Sequence, residues 1–597
     1  MVAATIVWRF ASRPWSLDCG RFVLLVVCWM GVVSDVCQAE PLQEVEPSQA
    51  HWRHPFAIAL SPDRPLLITA NERSKSLTFV DSAEESTLAE YQLPGQPAGL
   101  GFLNSNQLAV ADVENSCVLL IDVSPVPRIV KRLTCPEPPT GLAVSWDRRS
   151  FAVCSQWRRT VSLFRLSQDA IWERTDVSLG ETPGAMKFHP SGRSLLVADA
   201  FGGKLWIVGL NGKILAQQSI DGHNIRGMAF PSDETLIVTH QILHADAPTT
   251  ANNIAAAMVI ENVTYRFAWT ETEDRRIALE STGIREIGVP SHGAADPAGI
   301  ITLDSGESWV CLAGVDEVAR LSLSGETQER LSVGDQPVAL VHSIQTGKIV
   351  VLNRLSDSLT FIDPELRSIS KELSLGETPP LGPQERGERL FFEGQVSRFG
   401  WMSCQSCHPH GHSPDLLADT FADDSAGAPK RILSLLGGRD SNPWGWNGAF
   451  RSLHDQVQKS SVTTMRGPGF SPRETMDVVS YLHTLPFPPP FRPVVAEADE
   501  EVVRRGKDIF ESQGCVRCHV PPLTLTSDTV YDVGLTDENG LRKFNPPSLR
   551  GVGYRRRLFH DGRAQSLLAV FEEFGHGLTN ALTDADQTAL IRYLQSL

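Results

Sequence analysis

Two pentapeptides carry the chemistry most directly readable here: Cys404-Gln-Ser-Cys407-His408 and Cys515-Val-Arg-Cys518-His519. Each sets two thiols about one helical turn apart and an imidazole directly after the second. Thiols at that spacing add to the two vinyl groups of one porphyrin, and the adjoining His turns under the ring to ligate iron. The C-x-x-C-H pattern therefore reads as c-type haem attachment. A zinc site or a thioredoxin-like pair uses C-x-x-C but accounts for neither histidine. Two covalently bound haem c groups are expected, tethered at Cys404 and Cys407 and at Cys515 and Cys518. His408 and His519 are the expected proximal iron ligands.

The elements that must position these motifs repeat. Arg386-Gly387-x-x-Leu390-Phe391 before the first motif and Arg505-Gly506-x-x-Ile509-Phe510 before the second each read as an amphipathic helix. A further helix closes each half. Ser471-Pro-Arg-Glu474 is a capping box with Pro at the first helical position, followed by Met476, Val479 and Leu482 on one face. Thr583-Asp-Ala-Asp586 starts the last helix, with Leu590, Ile591, Leu594 and Leu597 as its core stripe. The Pro-rich run 486–493 between them is a stiff linker. The pattern predicts an all-α tandem of two cytochrome c-like haem units, over 384–490 and 494–597.

A different repeat fills the preceding 325 or so residues. Pro55-Phe-Ala-Ile, Pro97-Ala-Gly-Leu, Pro139-Thr-Gly-Leu, Pro183-Gly-Ala-Met, Ile225-Arg-Gly-Met, Pro297-Ala-Gly-Ile and Pro337-Val-Ala-Leu start its units, spaced by 42, 42, 44, 42, 72 and 40 residues. A period of about 40–45 residues with several short apolar runs per unit is the signature of a β-propeller, one four-stranded blade per repeat. Seven units predict an all-β seven-bladed propeller over 50–380, which resembles the YVTN-type propellers of secreted proteins. The long spacing predicts an insertion of about 30 residues after His240 in the fifth blade, holding His240, His244 and, near its end, His292. These three histidines read as loop residues.

The chain has 597 residues, 42% hydrophobic and 21% charged, with 54 Lys+Arg against 70 Asp+Glu for a formal net charge of −16. That composition excludes disordered and polytopic membrane classes, and the charge excludes a nucleic-acid partner. Arg9, Arg13 and Arg21 precede an apolar run from Phe22 to Val33 that ends in Val36-Cys37-Gln38-Ala39. This reads as a secretory signal peptide over 1–39 rather than an uncleaved anchor helix. The mature chain is expected to start near Glu40, in the periplasm or outside the cell, without a transmembrane segment. Of the remaining cysteines, Cys117, Cys135, Cys154 and Cys311 read as structural thiols, since Cys154 and Cys311 sit in buried-strand patterns.

From about 384 to the end, the residues resemble the bacterial dihaem cytochrome c peroxidase and MauG family. The resemblance rests on Gly387-Glu-Arg-Leu-Phe-Phe392, Ser403-Cys-Gln-Ser-Cys-His408, Phe544-Asn-Pro-Pro-Ser-Leu-Arg550 and Phe559-His560-Asp561-Gly562. It implies that Trp446, in Trp444-Gly-Trp446-Asn-Gly448, is the electron bridge between the haems. The Met that caps the high-potential haem in the peroxidases falls on Phe574, which cannot bind iron; His576, two residues on, an open site or another ligand takes its place. The family's distal Glu falls on Thr464. The following Met465 is the implied cap of the first iron, with His454 and His412 as rivals, while His410 lies too close to the proximal His408 to cross the ring. The family's Ca²⁺ ion between the haems loses its Asn, which falls near Arg431.

The expected function is that of an exported oxidoreductase of the cytochrome c peroxidase-like class. Electrons pass between its two haems, and the propeller serves as docking or substrate platform. Its expected partners are a small redox protein or quinol-linked donor and a protein substrate on the propeller. The alternative is a non-catalytic electron-transfer or redox-sensing protein with both irons six-coordinate.

Overall fold

The computed structural model describes residues 39–46, 49–272, 276–421, 425–522 and 524–597. The expected signal peptide therefore lies outside the described residues except for Ala39. No helix among the described residues is long and apolar enough to cross a membrane.

Residues 55–374 form seven antiparallel four-stranded sheets of sequence-consecutive strands, the blades of a β-propeller. Alternating side chains on each sheet feed cores shared between neighbours. Leu67 and Val80 of the first blade pack with Val350, Leu352, Leu359 and Phe361 of the seventh, which closes the ring. The N-terminal segment straps the first two blades as an outer fifth strand on each, Glu40–Pro41 on the second and Gln43–Glu44 on the first. Cys117, Cys135, Cys154 and Cys311 are free, buried thiols of this core.

The fifth blade carries its extra length in three places rather than in one loop. The first addition, 244–259, contains helix α1 (Ala251–Ala255), capped by the Thr250 hydroxyl. The second lies in the two long strands that follow, Ile260–Glu271 and Ile277–Glu286, and the third is the return 287–296. His240 lies buried in a strand, while His244 pairs with Glu261 and His292 with Glu317, so the three histidines form no cluster.

The C-terminal region is helical: α2 (Pro383–Phe392), α3 (Cys404–Cys407), α4 (Leu453–Lys459), α5 (Pro472–Leu482), α6 (Glu497–Ser512), α7 (Leu567–Glu572) and α8 (Asp584–Gln595). It contains the same crossing twice. In α2, a Cβ on Gly387 would stand 1.9 Å from the Asp477 carbonyl oxygen of α5. In α6, a Cβ on Gly506 would stand 2.0 Å from the Ala589 carbonyl oxygen of α8. The recurring Arg-Gly pair thus permits two helices to touch backbone to backbone. Each crossing is pinned by an ion pair, Arg386 to Asp477 (2.6 Å) and Arg505 to Asp586 (2.7 Å). The buried stripe of α5 is Thr475, Val478 and Leu482, with Met476 exposed, so its inward face is turned from the expected one.

The helical region sits on the propeller face where the first strands begin. Arg556 bonds Glu181 and Asp199 of the fourth blade, and the Arg354 guanidinium of the seventh meets Glu388 at 2.9 Å. The Trp157 ring packs edge-on against His412 (5.3 Å) and Tyr554 (5.0 Å).

Candidate functional site

Each pentapeptide opens into its own cavity. The first, about 270 Å³, is lined by Cys404, Cys407, His408, Trp446, Thr464 and Met465 among others. The second, about 500 Å³, is lined by Cys515, Cys518, His519, His576 and Trp446. Both walls are mostly apolar, as a porphyrin face requires. Folding therefore brings each pair of thiols and its histidine to one cleft.

The histidines are prepared as neutral ligands. The His519 Nδ1–H donates to the Leu525 carbonyl at 3.0 Å, which leaves Nε2 as the ring nitrogen able to lend a lone pair. His408 Nδ1 is buried without a hydrogen-bond partner. Burial holds both imidazoles down to about 4, so they are neutral at physiological pH. Burial also pushes the Cys404 and Cys407 thiols up to about 12, which keeps them protonated until they react. The four thiols, two imidazoles and two apolar clefts fit two c-type haems.

The α3 turn is held by the propeller. The His223 Nε2–H donates to the Ser406 carbonyl at 2.8 Å, and the Asn224 amide donates to the same oxygen at 3.2 Å. Asn262 donates to the Trp401 carbonyl at 3.0 Å, just upstream of the motif. Gln405 and Ser406 are fully buried as a result. Sequence reasoning missed all of these propeller residues.

Met465 ends a π-helical turn, Ser460–Thr464, a register shift that recurs at functional sites. It is buried against Met402 and Trp401, and against Ile254, Val259 and Ile260 of the fifth-blade insertion. The insertion is tied down beside it, since the Arg466 Nε–H donates to the Thr249 carbonyl at 2.7 Å. Thr464 faces the same cavity and accepts from the Lys459 ammonium at 3.2 Å. His454 is half-buried beside Asp455, His412 lies between propeller and helices, and His410 is exposed, and none of the three lines the first cavity. Phe574 stacks edge-on against Phe559 behind the second cavity, whereas His576 lines that cavity.

Trp446 separates the two cavities and lines both. Its indole N–H donates to the Arg431 carbonyl at 2.8 Å, and its own carbonyl accepts from the Asn545 N–H at 2.7 Å. The His560 ring lies 6.4 Å away, stacked in turn on Phe544 at 4.2 Å. Arg431, Asn545, Pro546, Pro547 and Arg555 complete the shared wall. Beside Arg431, the buried Lys430 ammonium meets Asp537 at 3.2 Å. Among the described residues, no group of three or more His, Cys, Asp or Glu side chains is arranged to hold a metal ion.

No family model matches the chain. Hydrazine synthase subunit gamma of Kuenenia stuttgartiensis is 27% identical over 271 residues, covering 35% of this chain and 76% of that protein. The methylamine utilization protein MauG of Methylorubrum extorquens is 27% identical over 257 residues, covering 33% of this chain and 70% of its own. Cytochrome c551 peroxidase of Nitrosomonas europaea is 22% identical over 265 residues, covering 36% and 79%. Among solved structures, Kuenenia stuttgartiensis hydrazine synthase aligns with a TM-score of 0.46 at 16% identity, covering 53% of this chain and 98% of that one. The chain thus combines a seven-bladed β-propeller with a sequence similar to those of MauG, cytochrome c peroxidase and hydrazine synthase subunit gamma.

Proposed function

We propose that the protein is an exported dihaem c-type oxidoreductase of the cytochrome c peroxidase-like class, its C-terminal region a tandem of two cytochrome c units. The observation that carries this reading is Trp446 standing between two apolar clefts, each of which gathers two thiols and a neutral imidazole. Bound there, the haems supply one-electron redox chemistry at iron. Cys404 and Cys407 tether the first and His408 ligates it; Cys515, Cys518 and His519 do the same for the second. Trp446 bridges the clefts as the aromatic side chain through which charge passes. His576 would supply the second iron's remaining ligand, and in this reading the first iron keeps an open position, with Met465 as its cap only in the second reading below. Electrons come from a small redox protein or a quinol-linked donor, and the propeller face left uncovered by the helices docks a protein partner.

A second reading has its own support. No carboxylate lines the first cavity among the described residues. Thr464, whose hydroxyl ionises only far above physiological pH, cannot shuttle protons as a carboxylate does. This favours electron transfer or redox sensing with both irons six-coordinate over peroxide turnover. Absorption and EPR spectra of the purified protein separate the two. A high-spin ferric haem that reacts rapidly with peroxide supports the oxidoreductase. Two low-spin haems inert to peroxide and carbon monoxide support the transfer protein.

A further inference from the structure

An acidic residue of the propeller is hydrogen-bonded to the turn of the first haem motif. Asp296 precedes the first strand of the sixth blade and is 2% exposed. Its carboxylate accepts the Ser406 hydroxyl at 2.8 Å and the Ser403 hydroxyl on its other oxygen. Ser403 caps α3 and Ser406 lies within it, and the Ser403 N–H donates to the Ser406 oxygen at 2.9 Å, so one carboxylate grips both serines of the turn that carries Cys404 and Cys407. The Arg226 guanidinium of the fifth blade is the opposite charge that acts on Asp296, and one of its nitrogens is buried without a partner.

The residues at the equivalent repeat position are His54, Gln96, Pro138, Thr182, Asn224 and Gln336, so an acid occurs there only in the sixth blade. Asp296 adopts a φ of +55°, as His54, Asn224 and Gln336 do at the same position (+48° to +54°), so the left-handed turn belongs to the repeat and the acid is what distinguishes the sixth blade. No propeller hydrogen bond comparable to these reaches the second pentapeptide, Cys515–His519, among the contacts of the described residues. His519 is fixed instead by Leu525 of its own unit.

We propose that Asp296 is a positioning residue of the first haem: a propeller carboxylate, opposed by Arg226, that orients the attachment turn and sets the reduction potential of the iron bound at His408. This rests on the dihaem reading. Burial pushes the Asp296 carboxyl above its ordinary range, and Arg226 with the Ser403 and Ser406 hydroxyls draws it back toward the charged form. Negative charge held there in a low-dielectric interior favours the ferric over the ferrous state, and its positive partner opposes that preference. The propeller then acts on the first haem site through the turn it holds, as well as serving as a platform for partners.

The test is a spectroelectrochemical titration of full-length holoprotein carrying Asp296→Asn or Arg226→Gln, with covalent haem counted after denaturation. Asp296→Asn is expected to make reduction of the first haem more favourable by about tenfold, 59 mV for one electron, while the second haem moves less. Arg226→Gln is expected to shift the first haem in the opposite direction, which general loosening of the turn does not produce. Should Asp296→Asn lose the first haem alone, its positioning role stands and Arg226→Gln carries the electrostatic test. Both haems attached with the first potential unmoved in both variants, or moved the same way in both, would overturn the proposal. Wild-type protein without covalent haem would instead contradict the dihaem reading.

Discussion

The indole N–H of Trp446 donates to the Arg431 backbone carbonyl at 2.8 Å, fixing the ring in the wall between the two cavities. The Arg431 guanidinium carbon also lies 5.4 Å from the ring centroid, so one residue holds the indole by its edge and by its face. Trp446→Phe keeps an aromatic ring but leaves that carbonyl unpaired. It is expected to slow electron exchange between the haems, measured by flash or stopped-flow reduction. Trp446→Ala is expected to slow it further and to cost about 3–5 kcal/mol of stability. Unchanged exchange in both variants would remove the bridge role.

The paired crossings make a stability prediction. Alanine at Gly387 or Gly506 drives a methyl into a carbonyl oxygen of the facing helix. Each substitution is expected to cost about 1–3 kcal/mol or more in thermal or denaturant unfolding, since backbone atoms cannot move aside as side chains can. An equivalent loss at both positions would show that the two units share one plan.

If Met465 caps the first iron, Met465→Ala is expected to turn the first haem high-spin, and it is expected to cost about 2–5 kcal/mol in either case, because the side chain is buried against Met402 and Ile254. Retention of the wild-type low-spin spectrum in this variant would refute Met465 as the iron's cap.

Acid should weaken the seat of the helical region on the propeller. Burial holds His223 and His240 down to about 4, against an ordinary value near 6.5. The unfolded chain therefore binds protons that the folded chain does not between these values, so stability falls as pH drops through this window. It is fully present above about 6.5, and each histidine contributes about 1.4 kcal/mol per pH unit. Unfolding midpoints measured from pH 7 to 4 should fall accordingly. His223→Gln, which can still donate to the Ser406 carbonyl, should flatten the dependence.

The propeller, the haem motifs and the helix starts are legible in sequence because each is a local pattern. A 42-residue period, five adjacent residues or a capping box needs no knowledge of distant contacts. The inward face of α5 was not legible in this way. Thr475 and Asp477 are buried there because Gln458 and Arg386 satisfy them, while the more apolar Met476 faces solvent. Asp296 and His223 escaped notice for a related reason. They act on residues more than a hundred positions away, and as propeller residues they read as ordinary strand ends and turns. The shape of the fifth-blade insertion was half visible: its total length shows in the spacing, but its division between a helix and two long strands depends on packing against Trp401 and Met465.

The central claim is two covalently tethered haems in one chain. Denatured, acetone-washed protein should retain two haems per polypeptide by pyridine haemochrome and by intact mass. Cys404→Ala/Cys407→Ala and Cys515→Ala/Cys518→Ala should each retain one. Wild-type protein that releases its pigment on denaturation, or carries it at only one pentapeptide, would contradict the account.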